Sequence, residues 1–206
     1  EDFVNSISRG AFSSNEISPF NIDQFQNWYY KAGTPKVIIN QEWDPKNSTL
    51  NISFEQELSS DLDNENSEMV IPVLFSCYKN EKEFDPVFED NLFILDKQKK
   101  QLKIKDSSFR HNPPVLSIFR GFSAPVIWES DLSTDDYLFL FLNDNDYFTK
   151  WDSGQILMRK IIKCRIEDQL HLDLEKKFNN SIKQSIKNLE SKDLSLLSKL
   201  ITSPGL

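Results

Sequence analysis

The sequence predicts a mixed fold: an all-β sandwich followed by an all-α helical segment, with a short helical region at the N-terminal end. Three observations predict it. Through the middle of the chain apolar residues alternate with polar ones, the period of a strand with one buried face. From about Asp131 onward they recur at helical spacing. The strand-like stretches are short and separated by polar turns, which favours a sandwich over βαβ units. The resulting divisions are residues 1–35 for the helical linker region, 36–130 for an Ig-like β-sandwich and 131–206 for the helical segment.

Residues 1–30 read as two short helices with a polar connection: Phe3, Val4 and Ile7 make one apolar stripe, Gly10 to Ser18 interrupt it, and Asp23, Phe25 and Trp28-Tyr29 form a last turn. Gly33 and Pro35 end any helix there. Val37 to Trp43 is the first strand, and Asp44-Pro45-Lys46-Asn47 is a turn. Leu50, Ile52 and Phe54 then alternate with Asn51, Ser53 and Glu55. An acidic loop, Ser59 to Glu68, leads to a strand from Met69 to Phe75. Pro72 removes a ladder donor, which places that strand at an edge or a bulge. Phe93-Ile94-Leu95 and Leu102-Lys103-Ile104 flank a polar turn and read as a hairpin. Phe122 to Trp128 reads as the final strand.

Ser133 is a helix N-cap with Asp136 at the third helical position. Tyr137 to Leu142 is apolar all round, so this helix is expected to be buried on several sides. Asp146 caps the next helix, on which Phe148, Trp151, Gln155, Met158 and Ile162 share a face. Leu174, Phe178, Ile182 and Ile186 define a third helix, and Leu194, Leu197, Leu200 and Ile201 a fourth, stopped by Pro204 and Gly205. Antiparallel helices with short loops fit a bundle or the first turns of an α-solenoid.

With 206 residues, 38% hydrophobic, the chain can fill a real core, and its 16 Phe and 4 Trp supply the bulk. The net charge of −8, mixed in sign, argues against nucleic acid as a partner, because a phosphate backbone calls for a concentrated basic patch. Lys97-Gln98-Lys99-Lys100 is the one candidate, and it reads as a solvated turn. No apolar run reaches membrane-spanning length, so no membrane partner is expected. Cys77 and Cys164 are able to bridge, but a disulfide framework usually needs more cysteines; both are read as reduced, buried, small hydrophobes of a cytosolic protein. The chain opens at Glu1-Asp2-Phe3-Val4 without a signal peptide or an initiator Met, and is expected to be part of a longer polypeptide.

The search for chemistry comes out empty. Hydrolytic zinc sites need closely spaced ligands such as His-Glu-x-x-His. His111 and His171 are unpaired with each other, and neither heads such a motif. There is no Cys-x-x-Cys, no Gly-x-Ser-x-Gly elbow and no phosphate-cradling glycine loop. Asp144-Asn145-Asp146 resembles calcium ligands but lacks the glycine turn and terminal glutamate of that loop, so helix capping is the better reading. Asn47-Ser48-Thr49 and Asn51-Ile52-Ser53 match glycosylation acceptors that mean nothing without a secretory context. No catalytic, cofactor-binding or metal-ligating role is assigned to any position.

Several phrases are more specific. Phe25 to Pro35 (Phe-Gln-Asn-Trp-Tyr-Tyr-Lys-Ala-Gly-Thr-Pro) resembles the stretch leaving the catalytic domain of aminopeptidase N metallopeptidases, F-x-x-W-Y-x-Q-A-G-T-P, with Lys31 in place of Gln. Trp43-Asp44-Pro45 with Leu50 to Gln56 is similar to that family's next hairpin, and Ile71-Pro72-Val73 to a following strand. Ser117 to Val126 resembles S-L-L-R-G-F-S-A-P-V. Asn143 to Gln155 resembles H-D-S-D-x-F-N-R-W-E-A-G-Q, with Asn143 for His and Lys150 for Arg. The phrases run in order to about residue 160, and the likeness is to the bacterial, cytoplasmic type.

The resemblance implies a four-part parent with an N-terminal β domain, a thermolysin-like zinc domain, a small β-sandwich and a helical C-terminal domain. This chain would hold the end of the second part, the whole third and the start of the fourth. The parent would use zinc to polarise the scissile carbonyl and activate water, releasing N-terminal residues from peptide substrates. None of the residues for that chemistry lies here, so zinc is implied for the parent and no cofactor for this fragment, whose partner is the rest of the parent polypeptide. Within the chain the matching phrases have structural readings: Trp28 and Tyr29 anchor a helix on the sandwich, Arg120-Gly121-Phe122 fixes a bend with Arg120 bound to an acidic or carbonyl partner, and Trp151 and Gln155 pack at the β–α junction. A functional alternative has Asp144 or Asp146 facing an enclosed substrate chamber. A different class of reading is an independent β-sandwich interaction module, which closed, polar ends would favour.

Overall fold

The computed structural model describes residues 21–57, 68–79, 86–88, 90–168, 172–188, 198, 199 and 202. By contact the chain divides into two compact units, and the division runs through one strand. The first unit gathers the residues up to Leu74 with Asn91–His111 and Ser123–Asp131; the second gathers Phe75–Asp90, Asn112–Phe122 and the residues from Leu132 onward.

The described part of the first unit begins with two single-turn helices, α1 (Ile22–Phe25) and α2 (Asn27–Tyr30). Helices this short do not stand by themselves. Asn21 caps α1 by accepting the amides of Asp23 at 2.9 Å and Gln24 at 3.2 Å. Side chains then tie the pair down: Gln24 donates to the Asp96 carbonyl at 2.6 Å, Asn27 to that of Glu68 at 2.8 Å and the Trp28 indole to that of Val70 at 2.8 Å. Tyr29, expected to share the anchoring with Trp28, is exposed instead, its ring edge-on to that of Phe25. Gly33 turns the chain with φ 97° into Pro35. The expected first helix, on Phe3, Val4 and Ile7, lies outside the described residues.

β1 (Lys36–Asp44) and β2 (Thr49–Glu57) form an antiparallel hairpin from Lys36↔Glu57 to Asp44↔Thr49. Asp44 closes the turn by accepting the Lys46 and Asn47 amides. β5 (Lys99–Lys105) pairs antiparallel with β2, and β7 (Ile127–Ser130) pairs parallel with β1, giving the order β5-β2-β1-β7. Alternation behaves as the pattern requires: Leu50, Ile52 and Phe54 are buried while Asn51, Ser53 and Glu55 are half-buried. Val37, Ile39, Ile71, Val73, Leu95 and Phe109 are buried as well, and Phe54 stacks on Phe93 at 4.9 Å.

The second sheet has the order β4-β3-β6, from β4 (Asn91–Leu95), β3 (Ile71–Tyr78) and β6 (Val115–Ile118). Two expectations are corrected here. β3 is the central strand, not an edge. Pro72 is tolerated because β6 pairs only from Phe75↔Ile118 to Tyr78↔Val115, so the proline lies beyond the end of that ladder. The next amide to it but one, Leu74 N–H, is satisfied by Ser123 Oγ at 3.0 Å. β4 and β5 are not a hairpin: they are neighbours in sequence but join different sheets. The chain turns the corner where Lys100 Nζ binds the Ile94 carbonyl at 2.7 Å and the Asp96 carboxylate at 2.8 Å. The expected final strand also shifts, because Arg120–Phe122 is a 3-10 turn and β7 starts only at Ile127.

In the second unit the distal half of β3 is buried at every residue from Phe75 to Tyr78, as is all of β6. Three helices follow among the described residues up to Asn188. α3 (Thr134–Asn143) opens on a capping box in which Ser133 and Asp136 satisfy each other's amides, and Tyr137, Leu138, Leu140 and Phe141 are buried. α4 (Tyr147–Ile166) is capped by Asp146. Its fully buried residues are Thr149, Ser153, Gly154, Gln155 and Leu157; of the face expected from the sequence only Gln155 is among them, while Phe148, Trp151 and Met158 are half-buried and Ile162 is exposed. Small residues allow close approach, and Gln155 is paid out to the Thr202 carbonyl at 2.9 Å rather than to the β–α junction. α5 (Leu172–Asn188) buries Phe178, whose ring meets that of Phe141 at 5.3 Å. The expected fourth helix falls almost wholly outside the described residues. Two sheets forming an Ig-like sandwich, then helices, with short helices in front, is the fold class expected from the sequence.

Candidate functional site: a buried arginine–aspartate network

At the end of β6 the backbone bends sharply. Phe119, Gly121 and Phe122 have φ of 54°, 60° and 57°. Only glycine adopts this region readily, so two phenylalanines there need support from their surroundings. Arg120, between them, points inward and is 3% exposed.

Its guanidinium meets a convergent set of acceptors. Arg120 Nη1 donates to Asp144 Oδ1 at 2.7 Å and to Ser117 Oγ at 2.9 Å. Nη2 donates to Asn145 Oδ1, and Nε to the Asp90 carboxylate at the surface. The Asp144 side chain is wholly buried. Its Oδ1 accepts from Tyr78 Oη at 2.8 Å and the Asp146 amide at 2.8 Å, and its Oδ2 accepts from Ser117 Oγ at 2.6 Å. Tyr78 Oη accepts the Asn145 amide at 3.0 Å in return. Every buried polar member therefore has a partner, the condition under which such a network rigidifies rather than destabilises. Burial works against the Arg120 charge, yet Asp144 and Tyr78 outweigh it and raise the guanidinium pKa. Burial, with the Asp144 charge, pushes the Tyr78 hydroxyl up to about 12.

Asp146 works from the other side. Its carboxylate accepts the Gly121 amide at 3.1 Å on both oxygens and the Thr149 amide at 2.8 Å, so one residue caps α4 and holds the bend. Phe122, exposed, rests on Phe148 at 5.2 Å, and Phe148 on Trp151 at 5.6 Å. Lys150, which stands where the resembled phrase has Arg, donates to the Leu142 carbonyl at 3.0 Å near the C-terminal end of α3. Its burial lowers the ammonium pKa.

The partner expected for Arg120, an acidic or carbonyl group, is thus Asp144 with Asp90. Neither Tyr78 nor Ser117 is marked by its local pattern as a companion: Ser117 opens the same phrase as Arg120, and Tyr78 shows only a hydroxyl at the end of an apolar strand. Of the other residues considered, His111 is exposed, His171 lies outside the described residues, and Cys77 and Cys164 are thiols, the first buried and the second half-buried. Lys99 and Lys100 are committed to Glu55 and Asp96. A cavity of about 520 Å³ is lined by residues such as Lys160, Lys163, Cys164, Glu167 and Lys177, of mixed charge. Among the described residues there is no cluster of three or more His, Cys, Asp or Glu side chains placed to hold a metal ion. Nor is any described helix long and apolar enough to cross a membrane.

Comparison with known proteins gives this arrangement a context. Residues 33–131 match a family described as a domain of unknown function (DUF3458) with an Ig-like fold, and residues 134–206 match its C-terminal companion, described as ARM repeats. Aminopeptidase N of Haemophilus influenzae is 24% identical over 99% of this chain and 23% of its own length. Aminopeptidase N of Escherichia coli is 25% identical over 81% of the chain and 19% of its length. Aminopeptidase N of Caulobacter vibrioides is 32% identical over 73% of the chain and 17% of its length. A crystal structure of Legionella pneumophila aminopeptidase A in complex with aspartic acid superposes with a TM-score of 0.79 at 22% identity, covering 99% of this chain and 22% of that one, which shows a shared fold. The chain spans about a fifth of the length of the curated relatives it matches. The ordered phrases from Phe25 to Gln155, the Ig-like and ARM-repeat matches and these relatives agree: the chain is a segment belonging to the aminopeptidase N family.

Proposed function

We propose that this chain is the non-catalytic structural portion of a zinc-dependent aminopeptidase whose whole polypeptide removes N-terminal residues from peptides. Residues 1–35 would be the end of the catalytic domain, 36–130 the Ig-like sandwich, and 131–206 the start of the helical C-terminal domain. The observation that carries this reading is that the chain matches its relatives over only 17% to 23% of their lengths, so most of each relative lies elsewhere. The character of the polar cluster supports it. Arg120 and Asp144 are locked to each other and to Tyr78 and Ser117, which is the arrangement of a brace rather than of a group waiting for substrate. Zinc would be held by residues of the parent outside this chain, where it would supply the Lewis acid and the activated water.

Ile166, Leu172 and Ile186 are 76%, 56% and 46% exposed on α4 and α5, which supports partners in the rest of the parent polypeptide over an independent sandwich module. We place the parent in the cytoplasm, on the likeness to the bacterial type. The test is direct. The purified chain is expected to bind no stoichiometric zinc by elemental analysis and to leave alanyl anilide substrates uncut. Metal-dependent cleavage by this polypeptide alone overturns the reading.

A further inference from the structure

The border between the two matched modules falls between residues 131 and 134, but the buried network ignores it. Tyr78 on β3, Ser117 on β6 and Arg120 on the bend belong to the Ig-like module, and Asp144, Asn145 and Asp146 to the ARM-repeat module. We propose that Arg120 and Asp144 are a latch that makes the β3–β6 strand pair and the α3–α4 junction open as one unit, so that the strand end of the Ig-like module is completed by the first two helices of the next.

The dependence runs both ways. Opening the α3–α4 junction withdraws the Asp144 carboxylate, which receives Tyr78 at 2.8 Å, Ser117 at 2.6 Å and Arg120 at 2.7 Å. The counter-charge that then remains for a guanidinium 3% exposed is Asp90, whose own side chain is 45% exposed, with the Ser117 and Tyr78 hydroxyls as neutral acceptors. Removing the buried partner of a buried charge is strongly destabilising. Opening the bend, in turn, withdraws the Gly121 amide from the Asp146 cap and the Phe122 ring from Phe148. The bend is not self-supporting either, because Phe119 and Phe122 hold φ of 54° and 57°, a region side-chain-bearing residues leave when released. Neither half keeps its local geometry without the other. Tyr78, Ser117, Arg120 and Asp144 lie together in one compact unit.

Native-state hydrogen exchange on the 206-residue chain in rising sub-denaturing urea tests this. Amides of β3 from Ser76 to Tyr78, of β6 from Leu116 to Ile118 and of α4 from Lys150 to Gln155 are expected to converge on one opening with one urea dependence. Tyr78→Phe, which removes one donor to Asp144, is expected to lower protection in all three segments by the same factor, up to about tenfold. Asp144→Asn is expected to lower it by a common factor on the order of 10²–10³. If α4 amides open while those of β3 and β6 keep their protection, in the unmodified chain or in Tyr78→Phe, the latch is refuted. The unmodified chain decides the matter should Asp144→Asn fail to fold.

Discussion

Gln56 offers a sharp test of how the first unit is held together. It is 3% exposed near the end of β2. Its Nε2 donates to the Met69 carbonyl at 3.1 Å and to the Lys97 carbonyl at 2.9 Å, while its Oε1 accepts the Met69 amide at 2.8 Å. Gln56→Leu keeps the volume and orphans both main-chain groups of Met69, a residue 2% exposed. A buried group left unsatisfied costs about 1–3 kcal/mol, so the variant is expected to lose about 2–5 kcal/mol of unfolding free energy. Gln56→Glu puts a carboxylate against two carbonyl oxygens. Burial and those dipoles raise its pKa above the ordinary value of about 4.3. The native state then holds the proton more tightly than the unfolded chain does. Relative to the unmodified chain, this variant is therefore most stable below about pH 4 and loses stability as pH rises through its raised folded pKa. Urea unfolding of both variants and the unmodified chain, at matched pH between about 4 and 7, reads this out as a midpoint shift at unchanged m. A Gln56→Leu loss under about 1 kcal/mol, or a Gln56→Glu gap that is flat with pH, refutes the view that these three bonds carry the junction.

Two further outcomes are expected. Ser133→Ala removes the side-chain half of the capping box on α3 and is expected to cost about 0.5–2 kcal/mol in urea unfolding, with earlier amide exchange confined to the first turn of that helix. Phe178→Ala, which empties the site against Phe141, is expected to cost about 3–5 kcal/mol, whereas Ile186→Ser at an exposed position of the same helix stays within about 0.5 kcal/mol; equal effects at the two positions contradict the assignment of the buried face.

Local signals survived the passage to three dimensions where one residue acts on its immediate neighbours. The Leu50-Ile52-Phe54 alternation, the Ser133 and Asp146 caps and the Asp44 turn are of this kind, because each is decided within a few residues. Choices that depend on distant partners were not legible. Phe93-Ile94-Leu95 and Leu102-Lys103-Ile104 each look like strands, but periodicity does not say which sheet a strand joins, and these two part company. The buried face of α4 was misread because hydrophobicity marks large residues, while Ser153 and Gly154 are buried for being small. The site was half legible: Ser117 and Arg120 stood within one specific phrase, but Tyr78 came to it from a strand whose own pattern had no need of it.

The parallel pairing of β1 with β7 has a mechanical consequence. Lys36, where the chain enters the first sheet, lies opposite Ile127, and Ser130, where the chain leaves it, lies opposite Ile39. Entry and exit are therefore at opposite ends of the shared ladder. A pull on the two flanking segments slides β1 along β7, so the ladder bonds and the added links from the Ile127 amide to Pro35 at 3.0 Å, from the Asp131 amide to Ile39 at 3.3 Å and from the Gln41 amide to the Asp131 carboxylate at 2.8 Å are stretched together. Bonds loaded in parallel must fail together, whereas a hairpin pulled open at one end gives way one rung at a time. In a long polypeptide whose neighbouring parts move, this segment would pass tension from one side to the other while resisting extension itself.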